Sequence, residues 1–173
     1  MNYAELKKTD IANGEGIRVS LFVSGCRRHC KGCFNEIAWD FSYGKAFTAA
    51  VETEIIDALS SPYIAGLTLL GGDPFEPENQ RALYPFLVRV KKLFPDKNIW
   101  CYTGYTYGER TLQEPHAVTE VTEKMLRLID VLVDGKFEEP LKDIRLRFRG
   151  SSNQRVIDLK RSFESGKVVL YLT

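Results

Sequence analysis

The sequence is short of several things. Its 173 residues include two histidines, two methionines and four cysteines. No apolar run approaches the ~20 residues needed to cross a bilayer, so no membrane partner is expected. The first ten residues carry Glu5, Lys7, Lys8 and Asp10 where a secretory signal would place a greasy stretch, which points to the cytoplasm. Charge of one sign is also missing: 24 basic residues face 23 acidic ones. The formal net charge of +1 gives no general attraction for nucleic acid. No internal repeat, low-complexity tract or linker divides the chain, so one domain over residues 1–173 is expected. Its 44% hydrophobic residues are an ordinary supply for a core. Four cysteines in a cytoplasmic chain favour metal or redox work over disulfides.

Three of the four cysteines stand within eight residues, Cys26-Arg27-Arg28-His29-Cys30-Lys31-Gly32-Cys33. Thiols this close cannot all reach distant partners, but on a loop their sulfurs can converge on one inorganic centre. A 4Fe-4S cube takes one thiolate per iron, so three cysteines leave one iron open for chemistry. Structural zinc is a rival reading. It wants four closed ligands, only His29, His116 or Cys101 could complete the set, and the spacing matches none of the common finger patterns. Unrelated thiols in a reduced protein are a second rival. Cys101, on a predicted strand, reads as a buried apolar thiol.

Along the chain, Ile17 to Val23 reads as a first strand after the turn at Asn13-Gly14, and the cysteine loop follows at its C-terminal end. Apolar residues at 47, 51, 55, 56 and 59 predict a helix with Thr48 as its N-cap. Gly66 to Leu70 reads as a buried strand, and Pro77 to Phe94 as a helix that Pro85 should kink or restart. Asn98 to Thr103 is the next strand, Val118 to Ile129 the next helix, and Val131 to Asp134 a further strand. This alternation predicts an α/β fold with a parallel sheet and right-handed crossovers. The chain is too short for the ~250 residues of a closed eight-fold barrel, so a partial, open (β/α) barrel is expected. From about residue 141 to 173 the chain is basic, with Lys142, Arg145, Arg147, Arg149, Arg155, Lys160 and Arg161. That segment reads either as a solvated face or as a docking surface, and Lys167 to Thr173 is a last apolar run that could pair as a strand.

Gly71-Gly72-Asp73-Pro74 ends the second strand. Two glycines let backbone approach a ligand, and the Asp73 carboxylate or nearby carbonyls can accept from an ammonium group. Cysteines spaced four and three apart, followed by such a segment, resemble the radical S-adenosylmethionine enzymes. Further stretches narrow the resemblance to the activating enzymes of anaerobic (class III) ribonucleoside-triphosphate reductase. Asn13-Gly14-Glu15-Gly16 and Tyr102-Thr103-Gly104-Tyr105 share in the resemblance, and the stretches that narrow it are Val131 to Phe137 and Arg149-Gly150-Ser151-Ser152-Asn153-Gln154.

The resemblance implies a 4Fe-4S cluster on Cys26, Cys30 and Cys33, with the methionine part of S-adenosylmethionine on its open iron. Gly71, Gly72 and Asp73 match the segment that receives the methionine ammonium, and Asp134 and Lys136 match charged residues near cofactor or substrate. Where many relatives have an aromatic residue before the third cysteine, this chain has Gly32. Phe34 or backbone at Gly32 would then contact adenine. The implied reaction is reductive cleavage to methionine and a 5'-deoxyadenosyl radical, which takes a hydrogen from one glycine on a loop of the reductase large subunit. A flavodoxin-like electron donor is implied as well. An activase for another glycyl radical enzyme, a small-molecule radical enzyme of the same superfamily and a zinc-binding adaptor remain alternatives. Tyr102, Tyr105 and Tyr107 read equally as an aromatic wall for the partner's loop or as rim packing, and Lys136 could simply pair with Asp134.

Overall fold

The computed structural model describes residues 1–173. The chain runs β1 (Asn2–Asp10), β2 (Ile17–Val23), β3 (Lys45–Ala46), α1 (Ala49–Leu59), β4 (Ile64–Gly71), α2 (Pro77–Leu93), β5 (Asn98–Tyr102), α3 (Thr122–Leu126), β6 (Val131–Asp134), β7 (Arg155–Asp158), α4 (Leu159–Ser165) and β8 (Leu170–Leu172). All eight strands join one open sheet in the order β3-β1-β2-β4-β5-β6-β7-β8. Its middle, β2, β4, β5 and β6, is parallel, as the strand and helix alternation predicts. Its flanks are antiparallel, which that alternation does not foresee: β1 with β2 and β3 on one side, β7 with β6 and β8 on the other. The sheet is therefore mixed.

Side-chain alternation along the central strands assigns the two faces. Leu67 and Leu69, Ile99 and Cys101, and Leu132 join a core of 26 buried residues with Val51, Ile55 and Leu59 of α1, and Leu83, Phe86, Leu87 and Val90 of α2. The residues between them, Trp100, Val131 and Val133, form with Val156 a separate, smaller cluster. Buried on both faces, these strands read as near-continuous apolar runs, which is why they are visible in the sequence.

Two helical expectations change. α2 continues through Pro85 as one helix and does not restart there. The missing hydrogen bond costs up to ~3 kcal/mol in a helix interior, and the four buried apolar side chains of α2 outweigh it. The helix expected over Val118 to Ile129 is only α3, five residues long. Ahead of it the Val118 amide closes a turn on Pro115, and Thr119 and Thr122 both donate to Gln80 Oε1, at 3.0 and 2.5 Å. Within the segment Thr119 N–H donates to Thr122 Oγ1 at 2.7 Å and Val121 N–H to Thr119 Oγ1 at 3.2 Å, and hydroxyls that take nearby backbone donors compete with helix geometry.

Arg18, within β2, is fully buried without a carboxylate partner. Its guanidinium donates to Thr68 Oγ1 and to the carbonyls of Glu15, Leu67 and Asn98, and lies 5.6 Å from the Trp100 ring centroid. Burial pulls its pKa down to about 10. It ties β2, β4 and β5 together at the end of the sheet opposite the cysteine loop.

Candidate metal centre

The cysteine loop leaves the C-terminal end of β2, the edge of a parallel sheet where ligands bind. Backbone bonds fix its start: Gly25 N–H donates to Ala38 at 2.7 Å and Cys26 N–H to Trp39 at 3.1 Å. The Gly-Gly-Asp segment at the end of β4 is stitched to the same point, Gly72 N–H to the Val23 carbonyl at 2.7 Å and Asp73 N–H to that of Gly25 at 2.8 Å. Glycine is required for this contact. A Cβ on Gly72 would stand 2.6 Å from the Gly25 oxygen, and Gly25 itself has φ +100°, with any Cβ driven to 2.2 Å from the Phe41 ring.

A cavity of about 430 Å³ opens beside the loop. Cys26, Cys30 and Cys33 line it, and so do Gly32, Phe34, Gly71, Gly72 and Asp73. Cys26 and Cys30 are buried and Cys33 is half-buried. No group of three or more histidine, cysteine, aspartate and glutamate side chains closes on a point where an ion would sit. Thiols gather fully only around the centre that orders them.

The surroundings suit thiolate ligands. Backbone N–H groups of Arg28 and His29 face Cys26, that of Phe137 faces Cys30, and that of Asn35 reaches Cys33 Sγ at 3.4 Å. Burial, with the nearby Asp73 charge, pushes the Cys26 thiol up to about 12, and burial raises Cys30 too. An iron centre reverses this, since a coordinating thiol gives up its proton to the metal charge. Three thiols on one loop, amides aimed at their sulfurs and space beside them fit a cluster with one open iron. Cys101 is fully buried in the helix-side core and does not line the cavity.

Asp73 is almost fully buried. Its Oδ1 accepts from Phe75 N–H at 2.9 Å and Thr103 Oγ1 at 2.8 Å, and its Oδ2 from Gly104 N–H at 2.8 Å. These bonds tie the end of β4 to the end of β5. Burial pushes its pKa up to about 7 against the pull of those donors. A carboxylate has about four acceptor positions, so one remains for an ammonium group.

Asp134 and Lys136 stand differently from the other candidates. The Asp134 carboxylate accepts from Arg155 through both oxygens and from Tyr107 N–H at 2.7 Å, and it does not line the cavity. Its charge partner is therefore Arg155, directly opposite on β7, and not Lys136. Lys136 is exposed, with its charge close enough to Cys30 to favour the thiolate. Phe34 sits on the cavity rim with 85% of its surface exposed. Of the three tyrosines, only Tyr102 lines the cavity; Tyr105 and Tyr107 are fully buried.

Among the lining residues, Trp39 falls outside every stretch that the sequence singles out, while Arg28, Thr103, Phe137 and Phe148 lie within such stretches without a role of their own there. Phe148, Lys142 and Arg149 belong to the basic segment, part of which thus walls the cavity, while Arg145 pairs with Asp143 in solvent.

A family model described as a 4Fe-4S single cluster domain matches residues 12–157. Proteins named anaerobic ribonucleoside-triphosphate reductase-activating protein are similar over nearly their full length. That of Haemophilus influenzae is 47% identical over 89% of this chain and 96% of its own. The Vibrio cholerae protein is 44% identical over 89% and 96%, and the Escherichia coli protein 42% identical over 92% and 100%. The chain belongs to this family of reductase-activating, single 4Fe-4S cluster proteins. In a family member with only four cysteines, of which Cys101 lies in the core, the cluster ligands are to be sought among Cys26, Cys30 and Cys33.

Proposed function

We propose that this chain is a radical S-adenosylmethionine activase, which generates a glycyl radical in an anaerobic ribonucleoside-triphosphate reductase. The observation that carries the reading is the meeting of the three-cysteine loop and the Gly-Gly-Asp segment at one cavity. The chain is related over most of its length to proteins named for that activation.

Cys26, Cys30 and Cys33 would hold three irons and leave the fourth to S-adenosylmethionine. The cluster and the bound sulfonium supply the reductive carbon–sulfur cleavage and the radical chemistry. The protein supplies the rest. Asp73, already fixed by three donors, takes the methionine ammonium on its remaining acceptor position. Backbone at Gly71 and Gly72 lies close enough to cradle the same end of the molecule. Leu70, Tyr102, Val133, Phe137 and Phe148 give the cavity apolar walls that exclude water from a reactive intermediate. Phe34, on the rim beside Gly32, is placed to cover adenine. Lys136 favours the Cys30 thiolate, and Asp134 serves indirectly, by holding Arg155 and the Tyr107 backbone. We read the open sheet, with its cavity at the C-terminal strand edge, as the partial barrel of this superfamily. A flavodoxin-like protein is the proposed electron donor.

The test is anaerobic reconstitution followed by mixing with the reductase. About four irons per chain, S-adenosylmethionine cleavage under a strong reductant, and a glycyl radical signal by electron paramagnetic resonance are expected. Tightly bound zinc without cleavage would overturn the reading. Cleavage without a radical in the reductase would assign the activity to another substrate.

A further inference from the structure

Glu76 is a buried carboxylate that lies outside the cavity and accepts three hydrogen bonds. It occupies the N-cap position of α2, where Ser, Thr, Asp or Asn ordinarily accepts from the first turn, and it makes no such bond. The side chain turns instead to the cysteine loop and is fully buried. Oε1 accepts from Arg27 N–H at 2.7 Å and from Tyr105 Oη at 3.0 Å, and Oε2 accepts from Arg27 Nη1 at 2.6 Å. Arg27 directly follows Cys26, so this carboxylate grips both the backbone and the side chain of the residue beside the first thiol.

The grip is reinforced from each side. Glu78, two residues further along the chain in the first turn of α2, takes two more bonds from the Arg27 guanidinium. The guanidinium lies 4.4 Å from the Phe41 ring centroid, and Phe41 closes over Gly25. Arg28, the next loop residue, lies 5.0 Å over the ring of the same Tyr105 that donates to Glu76. Cys26 therefore starts a loop whose first two residues are clamped to α2 and to the chain after β5.

We propose that Glu76 is a positioning residue for the metal loop: its buried carboxylate locks the backbone after Cys26 and places a fixed negative charge beside the cluster, holding its reduction potential low. Arg27 is one cation against the two carboxylates of Glu76 and Glu78, so the group keeps a net negative charge, and Glu76 is its buried and least screened member; net charge and hydrogen bonding around the sulfurs are what tune such clusters. The proposal rests on Cys26, Cys30 and Cys33 being the cluster ligands.

Glu76→Gln keeps the shape and one acceptor but removes the charge. In anaerobically reconstituted protein its cluster potential, read by redox titration with spectroscopic detection, is expected to shift upward. Glu78→Gln removes a half-exposed, screened charge from the same arginine and is expected to stay near the wild-type potential. Glu76→Ala, which also removes the acceptors, is expected to lose at least half its iron under identical loading. A Glu76→Gln potential equal to wild type, or an equal shift in Glu78→Gln, would overturn the proposal. Wild-type protein that takes up no iron would instead overturn the cluster assignment on which it rests.

Discussion

Replacing Asp73 by asparagine tests how the site carries its buried carboxyl. The asparagine Oδ1 can keep the bonds from Phe75 N–H and Thr103 Oγ1, but its amide nitrogen then faces Gly104 N–H across 2.8 Å, donor against donor. A buried donor left without its acceptor costs about 1–3 kcal/mol, so the variant is expected to be less stable by about that amount where Asp73 is at its best. The pH dependence follows from the direction of the shift. The carboxyl is raised in the folded protein from 3.8 to about 7, so its contribution is fully present below about 3.8 and is lost as pH rises to about 7. Wild-type stability should therefore fall by up to about 1.4 kcal/mol per pH unit between about pH 5.5 and 7, and not change further from this group above that. The amide of the variant has nothing to titrate, so the gap between wild type and Asp73→Asn should narrow across that window. Urea unfolding of the iron-free proteins from about pH 5.5 to 8.5 measures it. A gap that widens with pH would refute the reasoning, because it would mean that the three donors stabilise the anion more than burial penalises it.

Three further experiments probe separate links. Cys26→Ala is expected to lose iron and S-adenosylmethionine cleavage, while Cys101→Ala keeps both. Equal losses, by iron analysis after anaerobic loading, would break the ligand assignment. Gly25→Ala forces a side chain into a left-handed backbone and against the Phe41 ring, and should cost about 2 kcal/mol or more together with iron loading. Phe41→Ala added to it should restore part of the loss in thermal unfolding, and no restoration would contradict the clash. Arg18→Met fills similar space without the four donated bonds to Thr68 and three carbonyls. It should destabilise by about 3 kcal/mol in urea, and a loss below about 1 kcal/mol would show that water or the sheet itself satisfies those carbonyls.

What the sequence discloses is the part where chemistry or burial restricts residue type. A cluster needs thiolates at close spacing, so Cys26, Cys30 and Cys33 stand out whatever surrounds them. The contact of Gly72 with Gly25 tolerates no Cβ, so Gly71-Gly72 marks the cavity as well. β2, β4 and β6 are covered on both faces and read as apolar runs. The edges follow weaker rules. β1 is mostly half-buried or exposed and reads Asn-Tyr-Ala-Glu-Leu-Lys-Lys-Thr-Asp, a pattern equally at home in a loop. β7 is four residues long and carries a charge at each end.

Long-range electrostatic pairing is the least legible layer. From sequence, the nearest cation to Asp134 is Lys136, two residues away on the same side of a strand. The fold instead brings up Arg155, 21 residues along the chain, so that opposite charges sit directly across the antiparallel ladder. Cross-strand pairs of this kind depend on register, and register is set by the whole β6–β7 connection and not by either residue. The same holds for Glu76 and Arg27, which are 49 residues apart. Each looks like an ordinary surface charge until β2 and β4 pair in register. That pairing brings the loop after β2 and the helix after β4 to the same edge of the sheet. The candidate ligands are thus local in sequence, whereas residues that hold their loop come from several strand ends, Glu76 after β4, Tyr105 after β5 and Phe137 after β6, so the loop's geometry is a property of the sheet.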